Sequence, residues 1–187
     1  MSVHTESWPR RHRLTVEEYY RMAEVGLLPP DARVELIEGE IIDMAPIGSR
    51  HAAAVNFLAE RFIRAVDGAV LVSIQGPLRL GEHSEPQPDL ALLRPRVDRY
   101  KNGAPTAADV LLLIEVSDTT LHFDRDVKAK LYAQRGVPEL WIVDLLHGQL
   151  HLFRDPRQGE YADRSSIGAG VMQVPALAIP IDLTQLF

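Results

Sequence analysis

Two carboxylates stand in apolar, strand-like runs of the chain. Asp89 lies in Pro88-Asp89-Leu90-Ala91-Leu92-Leu93, and Glu115 in Val110-Leu111-Leu112-Leu113-Ile114-Glu115-Val116-Ser117. Burying a carboxylate in such a run costs on the order of several kcal/mol unless a partner compensates its charge. Carboxylates at the ends of adjacent strands can share a hard divalent cation such as Mg²⁺, which prefers oxygen ligands and keeps several waters. Such an ion polarises a phosphoryl oxygen, orients a water and stabilises the leaving oxygen. Lys128, on a following helical segment, carries the charge to position that water and to offset developing negative charge. The same residues have a purely structural reading. Asp89 can be a strand-entry residue hydrogen-bonded to loop amides, and Glu115 can form a salt bridge with Lys128. Asp124 and Lys128 lie four apart, the spacing of an ordinary surface pair on a helix.

Two further side chains are candidates for the same site. Glu35 alternates with Val34 and Leu36, the pattern of a solvated strand face, and can also bring an additional carboxylate. His51 falls at the start of a helix, where it can touch a phosphate, donate a proton, or be satisfied locally. Trp141, Tyr132 and Phe62 read as core residues rather than a base-stacking platform, and His122 has no assigned role. No nucleophile elbow supports covalent hydrolysis. No Gly-rich phosphate loop follows a strand, which argues against a nucleotide cofactor.

The elements that must position these groups follow from capping and periodicity. Thr15-Val16-Glu17-Glu18 reads as a capping box, with Leu14 and Tyr19 placed to staple a helix that stops near Gly26. Val34 to Met44 reads as a hairpin turning at Glu38-Gly39. Ser49 is placed to cap a second helix with the stripe Val55, Leu58, Phe62 and Val66. A strand is expected over 70–80, then the Asp89 strand, then 110–117. A third helix is expected over 124–135, with Phe123, Val127 and Leu131 on its buried face and Gly136 ending it. Leu140 to Val143 and Leu150 to Phe153 pair across His147-Gly148. The segment from Ser165 onward, with Pro175 and Pro180, is assigned only to packing. This order of strands and helices implies a central mixed sheet covered on both faces.

At 187 residues with 46% hydrophobic, the chain has material for one domain with a full core. Residues 1–13 read as a loose, flexible tail and 14–187 as a single domain. The absence of cysteine excludes disulfides and thiolate metal sites and fits a reducing cytoplasm. The polar N-terminal stretch with Trp8 and Pro9 has no signal-peptide core, and no apolar run approaches transmembrane length, so a soluble cytoplasmic protein is expected. The formal net charge of −6 argues against a surface built for nonspecific nucleic-acid binding. Basic residues cluster at Arg10, Arg11 and Arg13, at Arg94, Arg96, Arg99 and Lys101, and at Lys128, Lys130 and Arg135. They read first as solvated surface, and alternatively as flanks of a nucleic-acid site.

Several segments in order carry a resemblance. They are Val34 to Glu40, His51, Gln87 to Ala91, Ile114 to Ser117 through Thr120, Asp124, Lys128, Tyr132, and Gly136 to Asp144. Over residues 14–155 the chain resembles the PD-(D/E)XK nuclease superfamily, and more closely the Uma-type family of putative restriction endonucleases. The resemblance implies an α/β restriction-endonuclease-like fold: a central mixed sheet flanked by helices, with an N-terminal helix and hairpin. It also implies Mg²⁺- or Mn²⁺-dependent hydrolysis of phosphodiester bonds in nucleic acid, DNA foremost, by a homodimer. By position Asp89 and Glu115 match the metal ligands, and Glu35 an additional acidic residue. The superfamily lysine normally lies two residues after the glutamate, a place held here by Ser117, and Lys128 matches the family's relocated lysine. Asp118 replaces a proline usual in the family. The alternative is a member without catalysis, a DNA-binding or protein-interaction module. The acidic charge and the lack of a dedicated DNA-reading helix favour that alternative.

Overall fold

The structure is a computed structural model and describes residues 11–187. Trp8, Pro9 and Arg10, part of the expected tail, lie outside the described residues. Arg13 is tied to the first hairpin, its guanidinium donating to the Glu38 carbonyl at 2.7 Å and to the Glu38 carboxylate at 2.6 Å.

Helix α1 (Val16–Glu24) begins with the expected reciprocal cap: Glu18 N donates to Thr15 Oγ1 at 3.1 Å, and Thr15 N donates to the Glu18 carboxylate at 2.7 Å. Strands β1 (Val34–Ile37) and β2 (Glu40–Asp43) form the antiparallel hairpin. Its two-residue turn needs positive φ at both positions, and Glu38 and Gly39 supply 52° and 84°. A Cβ on Gly39 would lie 2.6 Å from Arg13 Cβ, so the close approach of residue 13 also requires glycine.

Helix α2 (Ser49–Val66) starts one residue earlier than expected. Gly48 is the N-cap, and Ser49 is already helical, so its hydroxyl is not in the capping position. The stripe Val55, Leu58, Phe62 and Val66 is buried as expected.

Six strands form the central sheet: β3 (Leu71–Ile74), β4 (Leu90–Leu93), β5 (Val110–Ser117), β6 (Glu139–Asp144), β7 (Gln149–Arg157) and β8 (Glu160–Ile167). They lie in that order across the sheet, with β5 and β6 parallel and the other neighbours antiparallel. The strand expected over 70–80 ends at Ile74. Gln75 turns to φ 49° and Gly76-Pro77 follows, where proline removes a ladder donor. Leu78 and Leu80 are buried from the ensuing loop instead.

Side-chain parity sorts the sheet into two faces. Leu90, Leu92, Leu112, Ile114, Val116, Trp141 and Val143 pack against α2. The segment from Ser165 is more than packing: it completes β8 and then forms a second hairpin, β9 (Val171–Val174) and β10 (Ile179–Asp182). That hairpin sends Val174 and Ile181 to the α2 face. The opposite face carries Ala91, Leu93, Leu113, Leu140 and Ile142. It is covered by Ile37 of the first hairpin and by Ala129, Leu131, Tyr132 and Ala133.

The third helix is interrupted. α3 (Leu121–Phe123) leads into a π-helical turn (Asp124–Lys128), then α4 (Ala129–Gln134). Ala129 N donates to the Asp124 carbonyl five residues back. The stripe that faces inward runs one residue on from the expected Phe123, Val127 and Leu131. Val127 is 39% exposed, whereas Asp124 and Lys128 are turned inward beside Leu131 and Tyr132. The expected surface pair is therefore a buried pair of positions. Among the described residues, no helix is long and apolar enough to cross a membrane.

Candidate functional site

Strand parity brings the two carboxylates together. Leu90 pairs with Ile114 in the antiparallel β4–β5 ladder. Continuing that register by one residue sets Asp89 opposite Glu115, on the face covered by the π turn. Directly opposed residues have Cβ atoms about 4.5–5.5 Å apart. Val116 N donates to Asp89 Oδ2 at 2.9 Å, which fixes the carboxylate at the strand entry. His51 Nε2 lies 3.1 Å from the same oxygen, and Gln75 Nε2 donates to Oδ1 at 3.2 Å. His51 is thus turned onto Asp89, and that hydrogen bond raises its pKa against the effect of burial.

Lys128 is the hub of the other half. Its Nζ is 3.1 Å from Glu115 Oε1 and 3.1 Å from Glu35 Oε2. Tyr132 OH donates to Glu115 Oε1 at 2.5 Å, and Gln87 N donates to Glu35 Oε2 at 3.1 Å. An ammonium has three N–H donors, so these two carboxylates leave one for the cleft that Lys128 lines. Glu35 does not sit on a solvated strand face: every residue of β1 is buried. The outer side of β1 is closed by α1, whose Tyr19 OH donates to the Val34 carbonyl at 3.0 Å. It is also closed by the 85–87 segment, where Glu85 N donates to the Leu36 carbonyl at 2.7 Å.

Asp124 joins the same floor. Ser117 Oγ and Thr120 Oγ1 both donate to its Oδ2, at 2.7 and 2.6 Å. Glu35, Asp89, Glu115, Asp124 and Lys128 are each less than a tenth exposed, and all line one cleft of about 690 Å³. One wall of this cleft is apolar, with Ile42, Met44, Ile47 and Phe123, and Arg33 adds a positive charge. His122 also lines it, and pairs with Asp126 on the helix surface. By contrast Arg94, Arg96, Arg99 and Lys101 are not in the cleft.

The floor holds four carboxylates against one ammonium. Burial pushes the Glu115 carboxyl up to about 8; Lys128 opposes this, and Asp124, Asp89 and Glu35 add to it. Against the desolvation that favours its neutral form, Glu115 and Glu35 hold the Lys128 pKa above the ordinary lysine value. Burial, and then the charge of Glu115, raise the Tyr132 phenol.

The fit to a metal follows from these contacts. Among the described residues, no group of three or more His, Asp or Glu side chains could by itself hold a metal ion. A dehydrated cage of protein ligands is therefore not built here. The all-oxygen donors and the surplus of negative charge fit a hard cation that keeps its waters and takes one or two carboxylates, as Mg²⁺ does. Asp89 and Glu115 are the carboxylates that could hold such an ion.

Tyr132 and Asp124 have closer ties to this floor than their sequence reading gave them, core for the one and a surface pair for the other. Two signals were in the chain: Asp124, Lys128 and Tyr132 recur every four residues, and all three belong to the segments that carry the family resemblance. The apolar pattern of the same segment pointed to a different face.

A family model described as Uma2, putative restriction endonuclease, matches residues 16–186. Among curated proteins none matches. Of the solved structures, the chain is similar to a putative nuclease belonging to DUF820 from Anabaena variabilis ATCC 29413. The TM-score is 0.69 and the identity 18%, covering 93% of this chain and 97% of that one. The likeness gives the two chains one fold.

Proposed function

The chain belongs to the Uma2 family, and we propose that it is a metal-dependent nuclease that hydrolyses phosphodiester bonds, with DNA as substrate. One observation carries this reading: Lys128 bridges Glu35 and Glu115 at 3.1 Å each, with Asp89 across the strand pair, on the floor of a single cleft. In this reading Asp89 and Glu115 hold Mg²⁺ or Mn²⁺. The ion, when bound, supplies Lewis-acid polarisation of the phosphoryl oxygen and a water of lowered pKa.

The protein groups do the rest. Val116 N, Gln75 and His51 fix Asp89, so the carboxylate need not reorganise when a cation arrives. Tyr132 and Lys128 orient Glu115 from one oxygen. The remaining Lys128 N–H is positioned to hold the attacking water or to offset charge on the phosphate. Glu35 keeps that ammonium in place. His51 acts through Asp89 as a positioning residue. Arg33 and the apolar wall are the features available to a nucleotide entering the cleft. The cytoplasmic location and the homodimer belong to this proposal as well; the open edge of β8 and the exposed Val171 support self-association.

Titration with Mn²⁺ of the wild type against Asp89→Ala and Glu115→Ala tests the cation site. The reading requires binding by the wild type that both variants lose. Cleavage of single- and double-stranded DNA and RNA, with Lys128→Ala alongside, then tests turnover. A wild type that binds the ion yet cleaves none of these substrates would be a non-catalytic member of the family.

A further inference from the structure

We infer that Asp124 is a further functional carboxylate of this cleft: Ser117 and Thr120 hold one of its oxygens, and the other receives a water of the bound cation. This rests on the cation-dependent reading above. Asp124 is 5% exposed. A buried carboxylate is retained at a cost unless it is matched by charge or by hydrogen bonds. Its expected partner, Lys128, is taken: the ammonium lies against Glu35 and Glu115. Among the described residues no cationic side chain comes within ion-pair distance of Asp124. Nor does it cap a helix: among the described residues its side chain accepts from two hydroxyls and from no backbone N–H.

What Asp124 has instead is two hydroxyl donors on a single oxygen. Ser117 Oγ comes from the end of β5 and Thr120 Oγ1 from the loop before α3, at 2.7 and 2.6 Å on Oδ2. Oδ1 has no protein hydrogen bond among the described residues. It is not sealed from solvent either, since among the described residues the buried side-chain atoms without a partner are His51 Nδ1 and His151 Nε2. A carboxylate that lines the cleft, with one oxygen immobilised and the other open, is arranged to accept a hydrogen bond from something in the cleft. The charge balance says what that is. The floor already carries surplus negative charge, so a phosphate oxygen is excluded and a water polarised by a cation is favoured. Asp124 lies one turn before Lys128 and so shares its face of the segment.

Mn²⁺ alone, titrated into the full chain and followed by the electron paramagnetic resonance of the free ion, tests this without relying on turnover. Loss of an outer-shell hydrogen-bond partner at a metal site costs about 10–100-fold in affinity. We expect Asp124→Asn to weaken Mn²⁺ binding by at least about tenfold, while the unfolding midpoint stays at or above that of the wild type. Asp124→Glu is expected to recover part of the affinity, and Ser117→Ala to lose less than Asp124→Asn. Affinity within twofold of wild type in Asp124→Asn overturns the inference. So does a loss seen only together with a lowered unfolding midpoint, which would mark Asp124 as a structural residue. If the wild type itself binds no Mn²⁺, the cation reading falls and Asp124 falls with it. If the wild type binds and Asp124→Asn binds equally, only Asp124 is wrong.

Discussion

Glu115 and Glu139 are buried glutamates on neighbouring parallel strands, and their surroundings differ in kind. Glu139 opens β6, and its Oε1 accepts from Trp141 Nε1 at 2.7 Å and from Arg154 Nε at 2.7 Å. That is one carboxylate with one guanidinium, the latter partly in solvent. Glu115, near the end of β5, shares one ammonium with Glu35 and has Asp89 and Asp124 as further like charges. The first pair balances and fastens two strands. The second leaves the floor of a cleft short of positive charge. A buried ion pair says little about function until the charges around it are counted.

Four changes would break or sharpen this contrast. The largest effect is expected for Lys128→Met, which strips Glu35 and Glu115 of their cation. Breaking a buried pair in this way costs about 3–5 kcal/mol of stability in denaturant unfolding. Adding Glu115→Gln to that variant should return part of the loss, and no recovery would mean that charge crowding is not the cause. Next comes Glu139→Gln, which weakens a charge-assisted hydrogen bond at a cost of about 1.5–3 kcal/mol. It should leave Mn²⁺ affinity unchanged; a fall in affinity would erase the distinction between the two glutamates. Tyr132→Phe removes one donor from Glu115 at a cost of about 1–2 kcal/mol and is expected to alter Mn²⁺ binding, which calorimetry would read. Thr15→Ala, far from both sites, should cost about 1 kcal/mol through the lost helix cap and leave the cleft untouched. A change in metal binding there would indicate coupling that the contacts do not provide.

The parts of the fold governed by local rules were legible in the chain. The Thr15 cap, the Glu38-Gly39 turn, the α2 stripe and the bounds of β5 follow from residue types at fixed spacings. That Asp89 and Glu115 lie in adjacent strand-like runs was legible too, but their opposition depends on the register that pairs Leu90 with Ile114. What escaped was set by distant partners or by an inward stripe displaced by one residue. Glu35 looked solvated because the helix and loop that close over β1 are remote in sequence. Asp124 looked like a surface residue because the apolar spacing of Phe123, Val127 and Leu131 marks that stripe as the buried one, whereas Val127 is exposed and the inward stripe runs one residue on. The second hairpin was hidden by Pro175 and Pro180. Pro180 is tolerated because β10 pairs only with β9, which leaves one of its sides without a ladder to disrupt.

The bridge from Lys128 to Glu35 and Glu115 has a consequence for assembly of the molecule. In many small metalloproteins the ion is a structural member, and a chelator unfolds them. Here a side chain already stands in for part of the missing positive charge, so the polypeptide can reach its native state before any ion arrives. The metal would then be a replaceable tool in a finished handle, and exhaustive chelation should silence the protein while its melting curve stays where it was.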